Sequence, residues 1–379
     1  MKRLFTSGSV TAGHEEKALI MKRKLLVAVI DSGVNKDDEY LKEAEIQNLY
    51  YEEREFKTCY VAKLNPHGTE VIKIILKESP DIKILSIRTL QENNKCMLSA
   101  IINSIKYCID KRVDIINLSL GSCSSTASRL EELKKVCDEA VKKGIIIFAA
   151  DHNIAGKKSY PANFSNVLGV TTPEDSEAFC KVSYEDRIVE FSDNMVYVPD
   201  LAKCIIRRGN SYLCPLLVGI FCKFIEGREI CKESTLAFMD FLIQFSKSEN
   251  ISRIYFDKYD IKEQHSLDDK KMLFFADDMD LNNMQIYAIY KEVNDAKLCF
   301  KDIYQKSEVE IMQTIQGTDV FYIGALSNQF IHENKEFLDL LIAILLREQV
   351  EIVTVFPIVN TIERMKLTHE GGYIKSIYK

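Results

Sequence analysis

The most constraining feature of the sequence is the run at residues 25–30, LLVAVI, which breaks at once into Asp31-Ser32-Gly33. An unbroken apolar run suits a strand covered on both faces, and a polar residue and glycine behind it suit a tight exit turn. The pattern recurs downstream. Further strands are expected at residues 81–87, 114–118 and 145–150. Helical periodicity fills 98–110, and a helix with Glu/Lys pairs fills 127–143 before Gly144 stops it. Strand and helix alternate, so the fold class is α/β: a parallel sheet with helices on both faces.

The pattern changes after Cys222. Residues 226–250 read as mixed helical sequence. New strand candidates follow at 253–256, 272–276, 285–288, 320–324 and 351–356, with an amphipathic helix over 333–347. A chain of 379 residues exceeds what one core usually covers. The expected organisation is therefore a lead-in (1–24), an α/β domain (25–225) and a smaller C-terminal α/β domain (226–379) of unassigned role.

Charge and cysteine content exclude several classes of function. Acidic and basic residues nearly balance, 56 against 50, for a net charge of −6. No basic stripe of the kind a nucleic-acid binder needs is visible. No run approaches the roughly 18 apolar residues of a membrane span; residues 337–346 come nearest and are broken by Asp339. Residues 1–24 hold several lysines and arginines but no apolar core of a secretion signal. The eleven cysteines form no CxxC or Cys/His metal spacing, so reduced, mostly buried thiols such as Cys108, Cys214 and Cys222 are expected. These features predict a soluble cytoplasmic protein with no nucleic-acid or membrane partner.

Three segments carry reactive side chains at element boundaries: VAVIDSGV (27–34), NPHGTE (65–70) and GNSYLCP (209–215). Asp31 ends a buried strand and His67 opens a helical run. Ser211 begins an apolar helix whose first turns hold Pro215, where proline is tolerated. A serine hydroxyl is a weak nucleophile until a base takes its proton, and imidazole suits that task near neutral pH. A buried carboxylate fixes the imidazole tautomer and stabilises the imidazolium. Each residue alone has a plain structural use: a strand end for Asp31, a helix cap for Ser211. It is the ordered combination that points to chemistry.

Asp-Ser-Gly after an apolar strand, then His-Gly-Thr, then Gly-x-Ser-x-x-x-Pro resemble the subtilisin-like serine proteases (subtilases), whose Asp…His…Ser order is well known. Two intervening segments strengthen the resemblance. Residues 115–121, IINLSLG, resemble the subtilase strand that pairs with substrate, and 144–153, GIIIFAADHN, the strand ending in the oxyanion asparagine. The likeness covers residues 24–223. It implies peptide-bond hydrolysis by a catalytic triad of Asp31, His67 and Ser211, an oxyanion hole at Asn153, and substrate pairing along Ser119, Leu120 and Gly121. It implies no cofactor; with no room after His67 for the secreted relatives' calcium loop, no metal is expected either. The lead-in is too short for a folding-assistant prodomain.

Departures from the family are equally specific. Asn210 replaces the usual threonine before the serine, His152 the glycine before the oxyanion asparagine, and Glu70 the second histidine of His-Gly-Thr-His. Tyr212, Leu213 and Cys214 replace small residues after Ser211 and suggest a restricted cleft, suited to a task such as leader removal from a ribosomally made peptide. Glu70 itself reads as a solvated helix residue. The alternatives are an impaired subtilisin-like module that only binds peptides, or a scaffold acting through its C-terminal domain. For that domain a docking surface, for substrate or for a second copy of the chain, is expected. Residues 319–328 (DVFYIGALSN) lack a nucleotide fingerprint, and Asp277, Asp278 and Asp280 read as a solvated loop.

Overall fold

A computed structural model describes residues 23–246, apart from 53–54, 59–64, 92–94, 124–125, 155, 173–179, 192–194, 201–204 and 232. Beyond them it describes 272–276, 296–299, 303, 306–323, 334–354 and 374–376. The strands of the first sheet are β1 (Leu26–Asp31), β2 (Glu45–Glu52), β3 (Glu55–Thr58), β4 (Lys83–Arg88), β5 (Ile115–Leu118), β6 (Ile146–Ala150), β7 (Leu168–Thr171), β8 (Cys180–Ser183) and β9 (Ile188–Phe191). They form one nine-stranded sheet in the order β3-β2-β4-β1-β5-β6-β7-β9-β8. Both edges depart from the all-parallel expectation, because β2–β3 and β8–β9 pair antiparallel.

The strand order reverses at β1, which pairs with β4 on one side and β5 on the other. In open α/β sheets ligands gather beyond the carboxyl ends of the strands at such a point. Here those ends are Asp31 on β1, Ser119 just past β5, and residues 151–153 just past β6.

Helices cover both faces, as the alternation predicts. On one side lie α1 (His67–Glu78), α4 (Asn210–Phe224) and α5 (Ser234–Ser246); on the other lie α2 (Leu98–Lys111) and α3 (Ala127–Lys142). Each side closes its own apolar core. Val71, Ile72, Ile75, Val218 and Phe221 meet β1 and β6 from the first side, and Ile102, Ile105, Leu133 and Val136 meet the sheet from the second. Burying each such side chain is worth roughly 1.5–3 kcal/mol. The hairpin of β10 (Met195–Val198) and β11 (Ile205–Arg208) delivers the chain to α4. Helix α5 falls within the segment assigned from sequence to the C-terminal domain, yet its Phe238, Met239 and Leu242 belong to the first core. The Phe238 ring stands edge-on to Phe221 at 5.1 Å.

Further along, β12 (Met272–Ala276), β13 (Ala296–Cys299), β14 (Val320–Ile323), β15 (Glu351–Thr354) and β16 (Ile374–Ser376) form a parallel sheet in the order β13-β12-β14-β15-β16. Helices α6 (Glu308–Ile315) and α7 (Lys335–Arg347) supply Ile311, Ile315, Leu341 and Leu345 to a core with Phe321 and Ile352. A reciprocal capping box between Ser307 and Glu310 starts α6. The strands expected at 253–256 and 285–288, the Asp277–Asp280 cluster and residues 324–328 lie outside the described residues. No helix among the described residues is long and apolar enough to cross a membrane.

Candidate active site

Asp31 is the last residue of β1 and is 1% exposed. Its Oδ1 accepts from Ser32 N at 2.7 Å and from His67 Nδ1 at 2.8 Å. A buried carboxylate needs donors, so Nδ1 carries the hydrogen. The neutral imidazole then presents its free lone pair at Nε2, 3.1 Å from Ser211 Oγ. The three residues expected as a triad are thus brought into one hydrogen-bonded line.

His67 is held there by its local sequence. Asn65 Oδ1 accepts from His67 N at 2.9 Å, and Ser32 Oγ accepts from Gly68 N at 2.9 Å while donating to Asn65 O. A Cβ on Gly68 would sit 2.2 Å from Gly33 O, so only glycine lets the start of α1 approach the β1 turn this closely. Burial pulls the His67 pKa down, but the charge and hydrogen bond of Asp31, and then the charge of Glu70, outweigh it and leave His67 above its ordinary value.

Ser211 is the second residue of α4, and Gly209 before it has φ +123°. A side chain at 209 would be strained and would meet the Asn153 amide at 3.2 Å. Asn153 Oδ1 accepts from Asn210 N at 2.8 Å. That bond fixes the amide orientation and leaves the Nδ2 hydrogens for another acceptor, on an exposed residue beside the nucleophile. The Ser211 N–H, in the first turn of a helix, has no intrahelical acceptor.

Asn210, visible in the sequence only as a departure, is 2% exposed and pins the loop that carries Asn153. Its Nδ2 donates to His152 O at 3.0 Å and Asp151 O at 3.3 Å, and its Oδ1 accepts from Thr172 Oγ1 at 2.9 Å. Asp151, which no motif flagged, gathers the same loop from behind. Its Oδ1 accepts from His152 N, Ser159 N and Asn163 Nδ2 within 2.8 Å. His152 is bound within the loop, its Nδ1 accepting from Ile154 N at 2.9 Å.

Ser119, Leu120 and Gly121 continue from β5, between the ends that carry Asp31 and Asn153. Ser119 is buried and takes a hydrogen bond from Asn117 Nδ2, while Gly121 is exposed. Ser122 and Tyr160 close the segment's far end by exchanging backbone hydrogen bonds of 2.8 and 2.9 Å.

Two sequence expectations fail here. Leu213 and Cys214 do not narrow the cleft: at 1% and 0% exposure they face the core, where helical periodicity turns them. Only Tyr212 stands at the site, its ring 4.8 Å from that of His67. Glu70 is not solvated but 6% exposed, chelated by Arg207 and bonded by Tyr212 Oη. The partner is 137 positions away, beyond the reach of local pattern.

Among the described residues no group of three or more His, Cys, Asp or Glu side chains is placed to hold a metal ion. The arrangement sets the Ser211 hydroxyl against the His67 imidazole, with the Asn153 amide held by Asn210 N close by. The family model described as the subtilase family, of S8 peptidases, matches residues 22–237, and the chain belongs to that family. It is 29% identical over 217 residues to the major intracellular serine protease of Bacillus subtilis (strain 168), covering 52% of this chain and 67% of that one. It is 27% identical over 187 residues to the minor extracellular protease Epr of the same organism, covering 46% of this chain and 27% of the relative. The chain thus spans between about a quarter and two thirds of these relatives. A solved structure of a lanthipeptide protease aligns with 56% of this chain, and 78% of its own, at 17% identity and a TM-score of 0.46.

Proposed function

We propose that this chain is a serine endopeptidase that hydrolyses peptide bonds through an acyl-enzyme. The observation that carries the reading is the continuous hydrogen-bonded line from buried Asp31 through His67 to Ser211, at 2.8 and 3.1 Å. Ser211 Oγ attacks the scissile carbonyl carbon as its proton passes to His67 Nε2. Asp31 holds the ring and stabilises the imidazolium. The carbonyl oxygen becomes an oxyanion that Asn153 Nδ2 and the Ser211 N–H are poised to bind. His67 then gives its proton to the leaving nitrogen, the C–N bond breaks, and the acyl group stays on Ser211 Oγ. Water attacks that ester with the same base, releases the acid and regenerates the hydroxyl. The substrate backbone lies along Ser119, Leu120 and Gly121 as an added strand.

Restricted specificity completes the reading. Tyr212 walls the site beside His67 and so limits the residues that fit next to the leaving nitrogen. This suits removal of a leader from a particular peptide better than bulk digestion. The relatives' names point both inside and outside the cell. Buried, unbridged Cys108, Cys137, Cys214 and Cys222 favour a reducing, cytoplasmic setting. Cleavage sites mapped by mass spectrometry, in unfolded casein and in a randomised peptide mixture, test the specificity. A few sites sharing a residue pattern are expected; indiscriminate digestion would reject the restriction while leaving the protease reading intact.

A further inference from the structure

Glu70 lies three residues past His67 on α1, on the same helical face, and its side chain is 8% exposed. A carboxylate buried that far requires partners with good geometry. Both come from the segment that carries the nucleophile. Arg207, near the end of β11, places Nε at 3.1 and 2.9 Å from Oε1 and Oε2, and Nη2 at 2.5 Å from Oε1. Tyr212 Oη donates to Oε2 at 3.0 Å. Arg207 enters the Ser211 turn and Tyr212 leaves it, so one carboxylate on the base's helix grips the nucleophile's turn from both sides. The Tyr212 ring, inclined at 57°, also packs against the imidazole.

We propose that Glu70 is a positioning residue: gripped by Arg207 and Tyr212, it locks the helix that bears His67 to the turn that bears Ser211, and so sets the separation and alignment of base and nucleophile. The inference rests on the protease reading above. A forked, charge-assisted pair suits this role because it fixes direction as well as distance. Base–nucleophile alignment matters because small displacements of reacting groups are costly in rate. Glu70 also acts on His67 through its charge. The groups facing the imidazole are Asp31 from β1, Glu70 from its own helix and Tyr212 from α4, with Arg207 reaching it through Glu70. Both carboxylates favour the imidazolium, Asp31 more than Glu70.

The test compares Glu70→Gln, Glu70→Asp and Tyr212→Phe with wild type, as full chains, by kcat and KM on a cleaved peptide and by NMR titration of the His67 imidazole. In Glu70→Gln, kcat should fall about tenfold, the scale of a modest misalignment, with KM little changed. The acid limb of the pH–rate profile and the His67 titration should both move to lower pH. Glu70→Asp keeps the charge and should bring the titration back toward wild type. Tyr212→Phe keeps the ring and the arginine pair and should lose kcat by a smaller factor. Wild-type kcat with an unmoved His67 titration in Glu70→Gln would overturn the proposal. Should that variant not fold, wild-type kcat in Tyr212→Phe would do the same. If wild type cleaves nothing, the protease reading fails, while the NMR titration still tests the coupling of Glu70 to His67.

Discussion

The two flanks of Ser211 are built from different chemistry. On one side Asn153, Asn210 and Thr172 join neutral amides, a hydroxyl and backbone carbonyls, with the Asp151 carboxylate holding the loop from behind. On the other, the carboxylates of Asp31 and Glu70 act on the neutral His67 imidazole, and Arg207 pairs with Glu70. The neutral flank presents donors whose strength does not vary with pH, which suits an oxyanion that forms only in the transition state. The charged flank holds the one group that gains and loses a proton in the proposed mechanism. In the proposed mechanism, preorganised dipoles on one side and a tuned base on the other divide the catalytic work.

Substitutions that respect this division should separate the flanks. Asp31→Asn, on the charged side, should lower kcat by roughly 10,000-fold, the scale of losing the correct tautomer; steady-state kinetics on a cleaved peptide measures it. Asn153→Ala, on the neutral side, should cost about 100- to 1000-fold in kcat with the acid limb of the profile unmoved. A shifted limb in that variant would break the division. Asn210→Ala leaves the backbone bond to Asn153 intact but strips partners from two loop carbonyls. It should destabilise the fold by about 1–3 kcal/mol, read by denaturant unfolding, with a smaller rate loss than Asn153→Ala.

The pH dependence sharpens the comparison further. The base must be neutral to act, and His67 is held above its ordinary value of about 6.5. The rate should therefore rise with pH through a midpoint above that value. The same shift carries a stability contribution of fixed sign. It is fully present below the unfolded imidazole value and is lost as pH rises through the folded one. The stability difference between wild type and His67→Ala should shrink across that window and level off at its alkaline end.

What was legible in the sequence follows from the range of each cause. Asp31, His67, Ser211 and Asn153 sit at strand and helix ends, with glycines that backbone packing demands, so short motifs expose them. The sheet with helices on both faces was legible from alternation, since its buried strands are continuous apolar runs. The edge strands β2 and β3 were not: they mix polar residues with partly buried ones, as in YEEREFKT at residues 51–58. Glu70 was misread because its burial depends on Arg207 and Tyr212, which only the folded chain brings near. Asn210 drew no structural reading for the same reason: its partners lie at the ends of β6 and β7. Those of Asp151 lie within the loop that follows it, at His152, Ser159 and Asn163.

The most direct test of the account is intact mass spectrometry of the full chain after treatment with a fluorophosphonate probe, wild type beside Ser211→Ala. A single adduct on wild type, mapped to Ser211 and lost in the variant, is the predicted result. A folded wild type that takes up no probe, or takes it up equally in both proteins, would contradict the claim that Asp31 and His67 activate Ser211.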